Sequence, residues 1–183
     1  MKQISLIAAS LALLAACGAN TTEFQAQDGS TRAVVDNRTR QWTITDSNGR
    51  EPVSQYDSMR VVEVSEDGHP MTVAYYRGNT CHWIQYYSSM QKRSEGQTVD
   101  GLREGRWVFF HPNGNIQSES NFIAGREDGP YRVYRANGAP YYIGQHTNGT
   151  PVGTWEFYGP DGMLVGTKVY DNDGRLVSTT DSL

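Results

Sequence analysis

The sequence predicts an all-β chain: consecutive antiparallel β-hairpins of a 24-residue repeat, stacked into one elongated, twisted sheet. Three observations predict it. First, one phrase returns at a constant interval, as "WVFFHPNGN" from 107, "YRVYRANGA" from 131 and "WEFYGPDGM" from 155. A fixed period of this length marks a repeat architecture, in which each unit buries its apolar side against its neighbours. Second, aromatic and β-branched residues precede a tight turn built from Pro, Asn or Asp, and Gly. That is strand chemistry followed by a three-residue hairpin loop, with Gly in the left-handed position. Third, glycines recur so often beyond residue 95 that no helix of ordinary length could persist there.

The first element is a leader. Lys2 supplies a positive start, and Ile4 to Leu14 is an uncharged apolar run. That run falls short of the roughly 20 residues a spanning helix needs and reads as the core of a signal peptide. It leads into Leu14-Ala15-Ala16-Cys17, which resembles the lipobox of bacterial lipoproteins. The resemblance implies removal of 1–16, diacylglyceration of the Cys17 thiol and acylation of the new amine. The alternative is an ordinary cleaved signal followed by an incidental Cys. Two or more acyl chains hold a protein stably where one alone is marginal. Gly18 stands where lipoproteins retained at the inner membrane often carry Asp, so the resemblance implies the outer membrane and a domain facing the periplasm.

Residues 17–38 are polar without a sustained period and read as the acylated Cys and a flexible tether. Residues 39–80 hold hairpin-like units whose register slips. Trp42 precedes Gly49 by the same offset as Trp107 precedes Gly114, and "MRVVEVSEDGHPMTVAYYRG" is two alternating runs about a turn. Four repeat units follow near 81–104, 105–128, 129–152 and 153–176. Gly105, Gly129 and Gly153 open the last three; Trp107, Tyr131 and Trp155 come two residues later; Gly114, Gly138 and Gly162 serve the turns; and Phe122, His146 and Tyr170 share a return-strand column. In the first unit Trp83 and Tyr86 keep their columns, while Cys81 and Met90 replace glycines. Residues 177–183 read as a tail.

Loss of Lys2 leaves 15 basic residues against 20 acidic ones. That balance argues against nucleic acid as a partner and against a basic membrane-binding face. With Cys17 acylated, Cys81 has no partner within the chain, so the fold is expected not to depend on a disulfide and Cys81 reads as a small buried hydrophobe.

Gly-x-Trp-x-x-Tyr, then a turn Gly, an aromatic and a closing Gly resembles the MORN repeat, in the variant form found in bacterial proteins. The resemblance is clear over 81–174 and weak over 39–78. It implies stacked antiparallel hairpins, and roles in tethering and in protein or lipid association rather than catalysis. Some bacterial members carry an antitoxin-like label.

Strand parity divides the candidate functional residues between two faces. Trp83, Trp107, Tyr131 and Trp155 form a ladder with a pitch of about 9.5 Å, two strand spacings. It is either the core face or a stacking platform for a sugar ring or an extended peptide. Phe110, Arg132, Tyr134, Glu156 and Tyr158 lie on the other face, a possible binding surface, since Tyr and Arg dominate interaction hot spots; the alternative is a merely solvated face. Catalytic readings find little. Glu95 and Glu119 share a column at a separation near the upper end for an inverting glycosidase, yet Ile143 takes that column next and nothing in the sequence marks a pocket. Glu104 and Asp128, before opening glycines, read as turn residues. His69, His82, His111 and His146 fall in different columns and offer no metal-ligand spacing. No catalytic residue, metal or cofactor is expected. The expectation is a lipoprotein scaffold that binds a protein partner, with a toxin-neutralising immunity protein and a cell-wall glycan binder or hydrolase as alternatives.

Overall fold

A computed structural model describes residues 21–26, 29–39, 41–50 and 56–181; the leader and the lipobox with Cys17 lie outside them. The described elements are all strands: β1 (Thr21–Gln25), β2 (Thr31–Asp36), β3 (Trp42–Asp46), β4 (Ser58–Val64), β5 (Pro70–Arg77), β6 (Thr80–Tyr86), β7 (Lys92–Val99), β8 (Leu102–Phe110), β9 (Ile116–Ile123), β10 (Arg126–Tyr134), β11 (Pro140–Thr147), β12 (Thr150–Tyr158), β13 (Leu164–Tyr170) and β14 (Leu176–Asp181). β4 to β14 make an 11-stranded antiparallel sheet in strict chain order, and β1 to β3 make a separate 3-stranded sheet. The described residues are thus all-β, with consecutive hairpins stacked as the repeat requires.

The turns follow the predicted chemistry. His111 N donates to Asn115 O at 2.8 Å and Gly114 N to His111 O at 2.9 Å. Gly114, Gly138 and Gly162 sit at φ 86°, 85° and 79°, where a β-carbon is costly. Met90 takes the same place in the first unit at φ 65°, and its turn still closes through Tyr87 N to Gln91 O at 2.9 Å. Its side chain is fully buried, so core packing offsets the backbone strain. Cys81 acts differently. Gly105, Gly129 and Gly153 have positive φ and lie where the strand register shifts. At Cys81 the β5–β6 pairing runs on unbroken from Thr72↔Gln85 to Arg77↔Thr80.

Three expectations need correction. Residues 17–38 are not all tether: Phe24, Ala26, Ala33 and Val35 of β1–β2 and Ile44 of β3 pack on Val73, Tyr75, Ile84, Tyr86 and Met90 of the long sheet. The alternation is only five or six residues long in each strand, and the polar residues between mask it. The sheet is accordingly not single, because β3 leaves the degenerate units of 39–80 to join this cap. Nor does a tail begin at 177, since β14 pairs with β13 from Leu176 to Asp181. Val177, Thr179 and Thr180 are β-branched and suited to a strand. Cys81 is buried and unpaired, and burial pushes its thiol pKa up.

Candidate functional site

One row of side chains crosses the long sheet strand by strand: Val73, Ile84, Glu95, Val108, Glu119, Arg132, Ile143, Glu156, Thr167 and Thr180. The three-stranded cap covers its first two members. From β7 onward the row carries Glu95, Glu119, Arg132 and Glu156, with Val108 and Ile143 between them and two threonines at its end, and this is the more polar face. All five residues predicted as a binding surface lie on it. Arg132 and Glu156 stand in the row itself. Phe110, Tyr134 and Tyr158 form a parallel row at the turn-proximal ends of β8, β10 and β12.

The polar face is held together by its own charges. Arg106 pairs with Glu119 at 2.8 Å and Lys92 with Glu95 at 2.8 Å. The Tyr134 hydroxyl donates to Glu119 Oε1 at 3.3 Å, and the Tyr158 hydroxyl to Glu156 Oε2 at 2.6 Å. Burial and then the Glu119 charge raise the Tyr134 pKa; the Glu156 hydrogen bond raises that of Tyr158. Both phenols are therefore neutral donors at physiological pH. Glu95 and Glu119 flank Val108 as their shared column requires. Each has a basic partner of its own, Lys92 for Glu95 and Arg106 for Glu119. Arg106 separates two depressions of about 350 and 190 Å³, the larger lined by His82, Glu95, Gln97 and Glu104 among others.

A column that the sequence reading passed over braces this face. Tyr87, His111 and Arg135 each follow an aromatic of the Phe110 column, and each reaches one unit forward. The Tyr87 hydroxyl donates to Phe110 O at 2.7 Å, His111 Nε2 to Tyr134 O at 3.0 Å, and Arg135 Nη2 to Tyr158 O at 2.8 Å. The backbone carrying the aromatic row is thereby fixed. The signal was chemical rather than alphabetical: Tyr, His and Arg share only a long side chain ending in a donor. At the opposite ends of the hairpins, Glu104 Oε2 accepts from Ala124 N at 2.9 Å and Asp128 Oδ2 from Asn148 N at 3.0 Å. Glu104 and Asp128, expected as turn residues, lie instead within β8 and β10, and their carboxylates bind the turn of the following unit.

The other face carries the Trp ladder. Trp83 stands opposite Gly96, Tyr131 opposite both Ser120 and Gly144, and Trp107 opposite Ser120. Large rings thus alternate with Gly or Ser on the intervening strands, so the indoles lie flat on the sheet. Trp107 and Trp155 keep only 6% and 8% of their surface exposed, which leaves little ring for a sugar to stack on; Trp83 and Tyr131 are half-buried. Trp83 Nε1 donates to Thr98 Oγ1 at 3.0 Å and Trp107 Nε1 to Gln97 O at 2.9 Å. Burial, then a hydrogen bond with Tyr142, lifts the Tyr131 pKa to about 12. Among the described residues no group of His, Cys, Asp and Glu is arranged to hold a metal ion.

No curated protein matches the chain. Solved structures that resemble it include a TarM mutant of S. aureus in complex with fondaparinux, α-GlcNAc-glycerol and UDP, at 11% identity over 73% of this chain and 21% of that one, with a TM-score of 0.33. A second TarM structure aligns at 10% identity over 72% and 20%, with the same score. This chain spans about a fifth of their length, and at that score the likeness carries no argument. The MORN repeat variant, by contrast, matches residues 103–124, which run from β8 through its turn to the end of β9. The ladder ring, the glycine bulge and the turn glycine of that matched unit recur in the two units after it.

Proposed function

We propose that this is an outer-membrane lipoprotein, anchored by acyl chains on Cys17 and facing the periplasm, whose repeat sheet binds a protein partner and performs no catalysis. The observation that supports the reading is the polar face of β8 to β12. There Arg106, Arg132, Tyr134, Glu156 and Tyr158 stand side by side on strands whose backbone is cross-braced between units. A stiff surface of Tyr, Arg and paired carboxylates loses little entropy on binding and suits protein recognition. The MORN-type repeat, a module associated with tethering, supports the same reading. The apolar leader ending in Cys17 supports the anchor.

The test is crosslinking in whole cells, followed by identification of what stays with the detergent-solubilised lipoprotein. Arg132→Ala and Tyr134→Ala should reduce recovery of a specific partner while leaving abundance and melting unchanged. Equal recovery with both variants would remove the polar face from the reading.

A further inference from the structure

Arg103, Glu127 and Pro151 share one column of the repeat, next to three similarly built aromatic pairs. Trp107/Phe122, Tyr131/His146 and Trp155/Tyr170 meet edge-on, with ring centroids 6.3, 5.2 and 6.2 Å apart. What lies over them differs. The Arg103 guanidinium carbon sits 4.4 Å from the Trp107 ring centroid and 5.2 Å from that of Phe122, so the first pair is capped by the chain's own cation. At the second pair the same position holds an anion. Glu127 is on the ladder face, since it stands opposite Phe122, and its Oε2 lies 3.5 Å from His146 Nδ1, with about a third of its side chain exposed. Among the described residues no Lys or Arg pairs with Glu127.

We propose that Glu127, Tyr131 and His146 receive an arginine side chain of a partner protein. The guanidinium would lie over the half-buried Tyr131 ring and pair with the Glu127 carboxylate, in the place that Arg103 fills for itself one unit earlier. Three properties fit that occupant and not an apolar one. A guanidinium is attracted by ring faces and stacks on them. A carboxylate beside the rings offers it a bidentate acceptor. A chain of net charge −4 draws cationic partners. This site is on the opposite side of the sheet from the polar face and stands independently of it.

The test uses the full chain labelled at the indole nitrogens, with the capped tripeptide Gly-Arg-Gly as probe and Gly-citrulline-Gly as its uncharged counterpart. Trp155 reports on the site, its ring lying 5.9 Å from Tyr131 and 5.1 Å from His146. The arginine peptide should shift the Trp155 indole resonance saturably, with a dissociation constant on the order of 1–10 mM, and the citrulline peptide should not. Glu127→Gln, a conservative change, should weaken binding by about fivefold or more. Glu127→Arg, which copies the first unit, should abolish the response. Arg103→Glu, which copies the second unit, should create a second site, seen as a new response of the Trp107 indole. A silent Trp155, an equal response to citrulline, undiminished binding by Glu127→Gln, or a silent Trp107 in Arg103→Glu would each overturn the proposal.

Discussion

The indole of Trp107 lies over Gly96 so closely that a β-carbon there would overlap the ring, and Trp155 covers Gly144 in the same way. These glycines are kept for space, because neither has the positive φ of the turn glycines. Gly144→Ala should therefore lift Trp155 off the strand and destabilise by about 1–3 kcal/mol, the usual cost of overpacking. Urea unfolding followed by Trp fluorescence checks it; an unchanged midpoint would contradict the flat stacking.

Emptying the ladder should cost more. Trp107→Ala and Trp155→Ala should each lose about 3–5 kcal/mol as large-to-small changes at buried sites. Several units should unfold together, because each is held by its neighbours. Arg132→Ala and Tyr134→Ala on the polar face should move the melting temperature little. If the Trp variants melt normally and lose the partner instead, the two faces have been assigned in reverse.

A different strain governs the turns. Gly162 has φ 79° and open space around its α-carbon, so Gly162→Val is opposed by backbone conformation alone. It should cost about 1–2 kcal/mol. Met90→Gly removes that strain but also a fully buried side chain, for a net loss of about 1–3 kcal/mol. Chemical denaturation of the two variants separates the terms. A Met90→Gly variant more stable than the parent would show that turn strain outweighs core packing at that position.

His82 should give the fold a pH dependence. Burial lowers its pKa, with Lys92 assisting and Glu95 opposing. The folded state thus favours neutral imidazole, and the unfolded chain binds the proton first. Stability from this group is complete above the unfolded pKa of about 6.5 and is lost as pH falls through and below it. Melting temperature measured between pH 7.5 and pH 5 should fall, and His82→Gln should flatten the slope. A slope that His82→Gln leaves unchanged would assign the effect to another group.

The anchor is tested in cells. Cys17→Ala removes the thiol that acylation requires, so cleavage before residue 17 should fail and precursor should accumulate. Mature protein in the outer-membrane fraction despite the substitution would rule out the lipoprotein reading.

The 24-residue period, the hairpin turns and the two faces of the repeat were all determined by the sequence alone. Each depends on local chemistry: Gly where φ must be positive, aromatics at strand parity, and a constant spacing that makes neighbouring units equivalent. The polar-face set of Phe110, Arg132, Tyr134, Glu156 and Tyr158 could be placed together for that reason. Only the tertiary structure decided what depends on contacts between units or between sheets. Phe24, Ala33 and Ile44 form a cap because the β5–β6 end of the long sheet offers Val73 and Ile84 for burial, a demand that no local pattern in 21–46 expresses. The bracing by Tyr87, His111 and Arg135 escaped notice because a carbonyl one unit away accepts from any donor that reaches it. Nothing in the sequence marks Gly96 and Gly144 apart from the other glycines, and only the indoles lying on them show that they are spaces.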